Sequence, residues 1–355
     1  MRGMIIDTVE PLALRIPAAG KGGALHLVLC RVRTSDGVEG FGECLCNRPP
    51  MQQALVATIR DAIAPFYVGK SVETRQTLNL DVRRRYASFG RSGTVLNALA
   101  AVDTALWDIA GKIAGQSLAN MIGGAKRSVV PVMASLDRYG HAGQARARVE
   151  QALAAGVAAV KVHEADLAVI EEARRLAEPP MPFIADVNNA HTMADIRRDL
   201  RRWQALNLLW LEDPVWPPED MLECTPLPGV PVGLGADLGS AEQLALYGRA
   251  PAVNFIQPDV CMLGGVSEML KVVAAAPRQG LAFAPHTPFI GPAALASLHF
   301  IATLSGSAFF ATIEADDGMD LFGIGLQRWQ KSIAVPKGPG LGHDPDLALV
   351  ERYSA

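Results

Sequence analysis

The runs Ala158-Ala-Val-Lys-Val-His163, Pro182-Phe-Ile-Ala-Asp-Val187 and Leu208-Leu-Trp-Leu-Glu212 decide the fold. Each is short, apolar and rich in β-formers, and a helical pattern separates it from the next. The same texture extends outward. A run at 129–135 precedes them, and runs at 232–236, 254–257, 281–284 and 309–314 come after. Short strands alternating with helices imply βαβ units and a parallel sheet, and eight equal units suggest a closed (β/α)8 barrel. Upstream, Asp36-Gly37 lies between the β-rich stretches 24–33 and 38–43 and marks a hairpin. Residues 17–23 read as an irregular loop. Residues 51–122 are helical in pattern, with breaks at Pro65 and Gly90 and one long helix running from Gly93 toward Gly115. Residues 325–355 are Pro/Gly-rich and fold back on another part of the chain.

Composition excludes several classes. Lys and Arg number 33 against 36 Asp and Glu, a net charge of −3, which disfavours a nucleic-acid surface. Half of the residues are apolar, which rules out general disorder. The cysteine count is odd, at five, and Cys44/Cys46 have no second pair at zinc spacing. Asp7, Glu10 and Arg15 interrupt the first apolar stretch, so no signal-peptide core is read there and a cytoplasmic setting is the expectation. The stretch 281–313 carries no Lys, Arg, Asp or Glu, but its prolines and glycines argue for a buried helix between buried strands rather than a membrane span.

In a parallel barrel the chemistry gathers where strands end. Three consecutive runs end in a carboxylate, Asp186, Glu212 and Asp237, spaced 26 and 25 residues apart. A lone acid at such a place commonly caps the next helix. Three in a row make a hard oxygen site suited to Mg2+. Asp259 and His286 end neighbouring strands, and a carboxylate beside an imidazole fixes its tautomer and raises its basicity. Lys161 and His163 alternate onto one side of their strand. Lys161 is open to two readings, a base with a depressed pKa or an interior ion pair with Asp186. His163, beside a Lys+, is a candidate proton acceptor.

These residues carry a resemblance. Ala98-Leu-Ala-Ala-Val-Asp-Thr-Ala-Leu-Trp-Asp108, Gly111-Lys112, Met121-Ile-Gly-Gly124, Asp186-Val-Asn188, Leu211-Glu-Asp-Pro214 and Gln257-Pro-Asp259 with Gly264-Gly265 succeed one another over almost the full length. The chain resembles the enolase superfamily, in its mandelate racemase and muconate-lactonizing group. The resemblance implies an α/β fold: a modified (β/α)8 TIM barrel at 127–324 with an α+β capping domain at 1–126, completed by 325–355. It implies Mg2+ on Asp186, Glu212 and Asp237, a catalytic Asp259–His286 dyad, and a Glu314 that hydrogen-bonds the substrate carboxylate. Asn188 stands where the family has a polar site residue, and loops near 17–26 and 44–50 set specificity. Many members carry Lys-X-Lys on the second strand, whereas this chain has Lys161-Val-His163.

The implied chemistry removes the proton α to a carboxylate, through an enediolate stabilised by the cation. Dehydration of an acid sugar to a 2-keto-3-deoxy acid is the leading expectation. Racemisation or epimerisation comes next, with cycloisomerisation behind it. A barrel that binds a carboxylate without turnover is the alternative from another class. The expected partner is a small carboxylate, with neither nucleic acid nor membrane, and the chain is expected to be a homo-oligomer.

Overall fold

The computed structural model describes residues 4–18, 23–46, 48–89, 91–276, 280–306, 308–313, 320–326 and 328–355. Three antiparallel strands open the chain, β1 (Ile6–Ala18), β2 (Gly23–Thr34) and β3 (Glu39–Cys44), ordered β1-β2-β3. The turn at Asp36-Gly37 joins β2 to β3, and Gly37 takes the left-handed φ of 84° that such a turn demands. Helices follow, the longest being α1 (Thr94–Ala114), which ends at Gly115 in the left-handed region. Pro65 does not break its segment. It sits in the first turn of the short helix Ala64–Tyr67, where a missing N–H costs nothing. Gly90 lies outside the described residues.

Eight parallel strands then form one curled sheet. They are β4 (Val129–Ser135), β5 (Ala159–His163), β6 (Phe183–Asp186), β7 (Trp210–Glu212), β8 (Val232–Leu234), β9 (Val253–Ile256), β10 (Ala282–Phe283) and β11 (Phe310–Ile313). Their order is β10-β9-β8-β7-β6-β5-β4-β11, which brings the last strand beside the first. No ladder joins β10 to β11 among the described residues. There the Thr287 hydroxyl accepts from the Ala311 N–H (2.9 Å) and donates to its carbonyl (3.0 Å), replacing one rung at the seam. Between these two strands runs α2 (Pro292–Thr303), buried from Pro292 to Ala302, which accounts for the uncharged stretch. No described helix is long and apolar enough to cross a membrane.

The register places the site. Across β5, β6, β7 and β8 the partners are His163, Asp186, Glu212 and Gly233, one level of the sheet. Residues paired in a parallel sheet share a face, so this row points inward together. Two residues earlier on the first three strands, Lys161, Ile184 and Trp210 form the next level down. Ile184 and Trp210 join Ala159, Met133, Ala284 and Ala311 in an apolar plug. The polar row thus stands on a hydrophobic floor at the C-terminal mouth.

Buried acids of α1 hold it to β3, to the C-terminal tail and to the helix Val266–Ala275 that follows β9. Asp108 of α1 accepts from the Phe41 and Leu341 N–H groups, and Asp103 accepts from the Ser267 N–H and hydroxyl. The approach of α1 to β3 requires glycine, because a Cβ at Gly42 would collide with the Ala101 carbonyl. The tail touches both parts. Its strand β12 (Ser332–Ala334) pairs antiparallel with β4, and Ser354 bridges to Leu14 of β1.

Glu43, 2% exposed at the end of β3, accepts from the N–H groups of Gly291 (3.1 Å) and Ala293 (3.0 Å) at the start of α2. Burial pushes its carboxyl up to about 8, against the opposing pull of those N–H groups. A raised acid binds more protons folded than unfolded. Its stabilising contribution is therefore complete below its unfolded pKa near 4.5 and is lost as pH rises through about 8. Denaturation between pH 4.5 and 8 should show a falling component of at most about 1.4 kcal/mol per pH unit that Glu43→Gln removes. An unchanged pH profile in Glu43→Gln would refute this assignment.

Candidate active site

Lys161, 2% exposed, is the centre of the polar cluster. Its Nζ lies 2.7 Å from Glu212 Oε1 and 3.3 Å from Asp186 Oδ2. Burial alone would lower its pKa, but the two carboxylates outweigh that and hold it above the ordinary lysine value. In this arrangement Lys161 is an ammonium. Asp186 is likewise burdened by burial, yet the charges of Lys161 and His163 hold it well below the usual carboxylate range.

His163 has both ring nitrogens engaged. Nδ1 contacts the Leu136 carbonyl, and Nε2 lies 3.0 Å from Asp186 Oδ2. Both neighbours are acceptors, so an imidazole carrying one hydrogen donates to only one of them. The adjacent Glu164 is buried and accepts from the Tyr139 and Gly140 N–H groups, fixing the loop after β4 against this strand.

Asn188 turns back over Asp186. With φ at +45° it donates from its backbone N (3.0 Å) and Nδ2 (2.7 Å) to Asp186 Oδ1. Its Oδ1 accepts from Arg138 Nη2 at 3.0 Å. The side chain expected to contact substrate thus also orients a carboxylate of the row.

The compact carboxylate group is Asp186, Glu212 and Asp213, whose ligand atoms all lie within 4.8 Å of one another. Strand alternation would send the residue after Glu212 away from the barrel axis. Asp213 adopts φ +41° at the strand end, which reverses that direction. Burial, followed by the charges of Asp186, Glu212 and Asp237, raises its carboxyl well above the usual range. Asp237 is not in this triple. Its side chain is exposed at the end of β8, within electrostatic reach of His286, Asp259 and Asp186. The donor set fits a hard divalent cation: it is all oxygen, crowded, and carries repulsion that such an ion relieves.

The second polar pair lies across the sheet. His286 Nδ1 is 2.7 Å from Asp259 Oδ2, and Asp259 is fully buried. The other Asp259 oxygen accepts from the Cys261 (2.7 Å) and Met262 (3.0 Å) N–H groups. The carboxylate is therefore fixed at both ends, and Nδ1 must carry the hydrogen it shares with it. Nε2 of His286 has no partner among the described residues. Glu314 lies outside the described residues.

Comparison with known proteins agrees with this geometry. Residues 7–123 match the mandelate racemase / muconate lactonizing enzyme N-terminal domain, and residues 144–349 match the enolase C-terminal domain-like family. The chain is 26% identical to an arabinonate dehydratase of Saccharolobus solfataricus, covering 94% of this chain and 92% of that one. It is 27% identical to a D-galactarolactone cycloisomerase of Agrobacterium fabrum, covering 89% and 88%. A mandelate racemase/muconate lactonizing protein from Paracoccus denitrificans, solved in complex with magnesium, superposes with a TM-score of 0.85 at 25% identity, covering 99% and 98%. With both family domains matched in order on one curled barrel and its N-terminal layer, the chain belongs to the enolase superfamily, in the mandelate racemase / muconate lactonizing enzyme group.

Proposed function

We propose that this protein abstracts the α-proton of a carboxylate substrate in the presence of Mg2+, and that the reaction is dehydration of an acid sugar to a 2-keto-3-deoxy acid. The observation that carries the reading is the Asp259–His286 pair, its carboxylate buried and its imidazole half-buried, across the sheet from the carboxylate row. Asp186 and Glu212 are the proposed cation ligands, with a third carboxylate supplied by Asp213 or Asp237. A divalent cation held there supplies positive charge for the enediolate that proton loss creates.

The chain's own residues divide the remaining work. Asp259 holds the Nδ1–H of His286, so the lone pair on Nε2 receives the α-proton. The resulting imidazolium faces an acceptor in Asp259 and returns its proton to the departing β-hydroxyl, which leaves as water. The enol then becomes the keto acid. Lys161, held as an ammonium, adds a fixed positive charge near the developing dianion, where water is scarce. His163 contributes a ring nitrogen beside Asp186. Glu314 is proposed, on the family pattern, to bind the substrate carboxylate.

A second reading is supported by the cycloisomerase relative. It shares the proton abstraction, but a ring oxygen departs in place of a hydroxyl. Racemisation or epimerisation needs a second proton carrier on the opposite face.

Titration calorimetry should show Mg2+ binding to the wild-type protein and its loss in Asp186→Ala and in Glu212→Ala; wild-type affinity in either variant would remove the metal site. With Mg2+ and a panel of acid sugars, dehydration yields a 2-keto product that semicarbazide traps. His286→Asn should lower that rate by about 10²–10⁴. Deuterium from D2O entering recovered substrate and its epimer, with no keto acid, would instead establish epimerisation. Substrate binding with neither outcome would establish the non-catalytic reading.

A further inference from the structure

Glu212 has a partner that ligand and substrate chemistry do not explain. The indole Nε1–H of Trp210 donates to Glu212 Oε2 at 2.9 Å, entirely within the barrel. Trp210 lies two residues before Glu212 on β7, so both face inward one pleat apart, and the indole is long enough to reach up that pleat. Its neighbours hold it there. The Phe255 ring stands 4.8 Å away at 34°, and Trp210 is only 3% exposed.

Room for the ring comes from the adjacent strand. Gly233 is the register partner of Glu212. A Cβ there would collide with Gln257 Oε1 and come within 2.7 Å of Trp210 Cδ1. The inward position of β8 at this level is therefore empty of side chain because Gln257 and the indole fill it. A buried indole N–H needs an acceptor wherever the ring packs. This one spends its single donor on a carboxylate, and a hydrogen bond to a charged acceptor in a dry interior is among the stronger kinds.

We propose that Trp210 is a positioning residue for the cation site: its indole N–H fixes the orientation of the Glu212 carboxylate, and Gly233 is the space that permits it. The inference rests on the reading of Glu212 as a cation ligand. With Lys161 on Oε1 and Trp210 on Oε2, the carboxylate is held at both oxygens before any cation arrives. Partners that orient a metal ligand typically change metal affinity by about 10–100-fold when removed.

The test uses the full chain and Mg2+ alone. Trp210→Phe keeps an aromatic ring and removes the donor. Calorimetry should show Mg2+ binding weakened about 10-fold or more, while circular dichroism shows the fold retained. Wild-type Mg2+ affinity in Trp210→Phe, with binding lost in Glu212→Gln, would overturn the role of Trp210 and leave Glu212 as ligand. Wild-type affinity in Glu212→Gln would overturn the ligand reading itself. Should Trp210→Phe fail to fold, the wild-type protein provides an independent test. Labelled with 15N-tryptophan, it has five indole N–H groups, and Mn2+ should broaden one of them ahead of the rest. Five resonances broadened alike, or none, would refute the placement.

Discussion

A buried ammonium between two buried carboxylates is the constraint on which the site depends. Asp186 and Glu212 are register partners on neighbouring strands, so the sheet forces them side by side. Like charges at that separation repel strongly in a poorly solvated interior. Lys161, one strand away, meets both. Removing one member of such a buried network leaves an uncompensated charge, typically costing about 3–5 kcal/mol. Lys161 therefore serves the structure by closing the ion pair with both carboxylates.

The second constraint is that the mouth of the barrel must be covered, and the cover is tied down by buried acids. Asp103, Asp108 and Glu43 each accept backbone N–H groups from a segment distant in sequence. Asp103 and Glu43 meet the first turns of the helices Val266–Ala275 and α2, and such places leave N–H groups without internal partners. Glu43 in particular joins the end of β3 to the start of α2, and the charge of Asp259 adds to the rise of its carboxyl. The anchoring of the N-terminal layer and the environment of the dyad are thus electrostatically linked.

The fold was readable because its strands are buried on both faces and so appear as continuous apolar runs between helical patterns. All eight runs are strands, although the sheet uses fewer residues of several: only Trp210–Glu212 of the run 208–212 is in the ladder. The candidate site was readable wherever a polar residue closed such a run, as with Asp186, Glu212, Asp259 and His286. It was not readable where direction changes within one residue. Asp213 follows Glu212 and should point away, and only its left-handed φ turns it back. Thr287 at the seam was hidden for another reason. Its hydroxyl stands in for a backbone rung, a role that no spacing reports. Trp210 was legible as a strand former, but its N–H contact depends on a glycine one strand away.

The distribution of acceptors around the row, among the described residues, bears on the proposed proton chemistry. Racemisation needs a base on each face of the α-carbon, poised in opposite protonation states. On one side, His286 has Nδ1 committed to Asp259 and Nε2 without a partner among the described residues. On the other, Lys161 is held as an ammonium by two carboxylates, and His163 meets an acceptor at each nitrogen. That side offers hydrogens and positive charge, whereas the His286 side offers a lone pair. Among the described residues, one free imidazole nitrogen facing a cluster of donors suits the proposed reaction, in which a single group takes the α-proton and a leaving oxygen takes one back. Elimination meets that description, whether the oxygen is a hydroxyl or part of a ring. With His163 in place of a second lysine, both ring nitrogens on this face are engaged, one by the Leu136 carbonyl and one by Asp186.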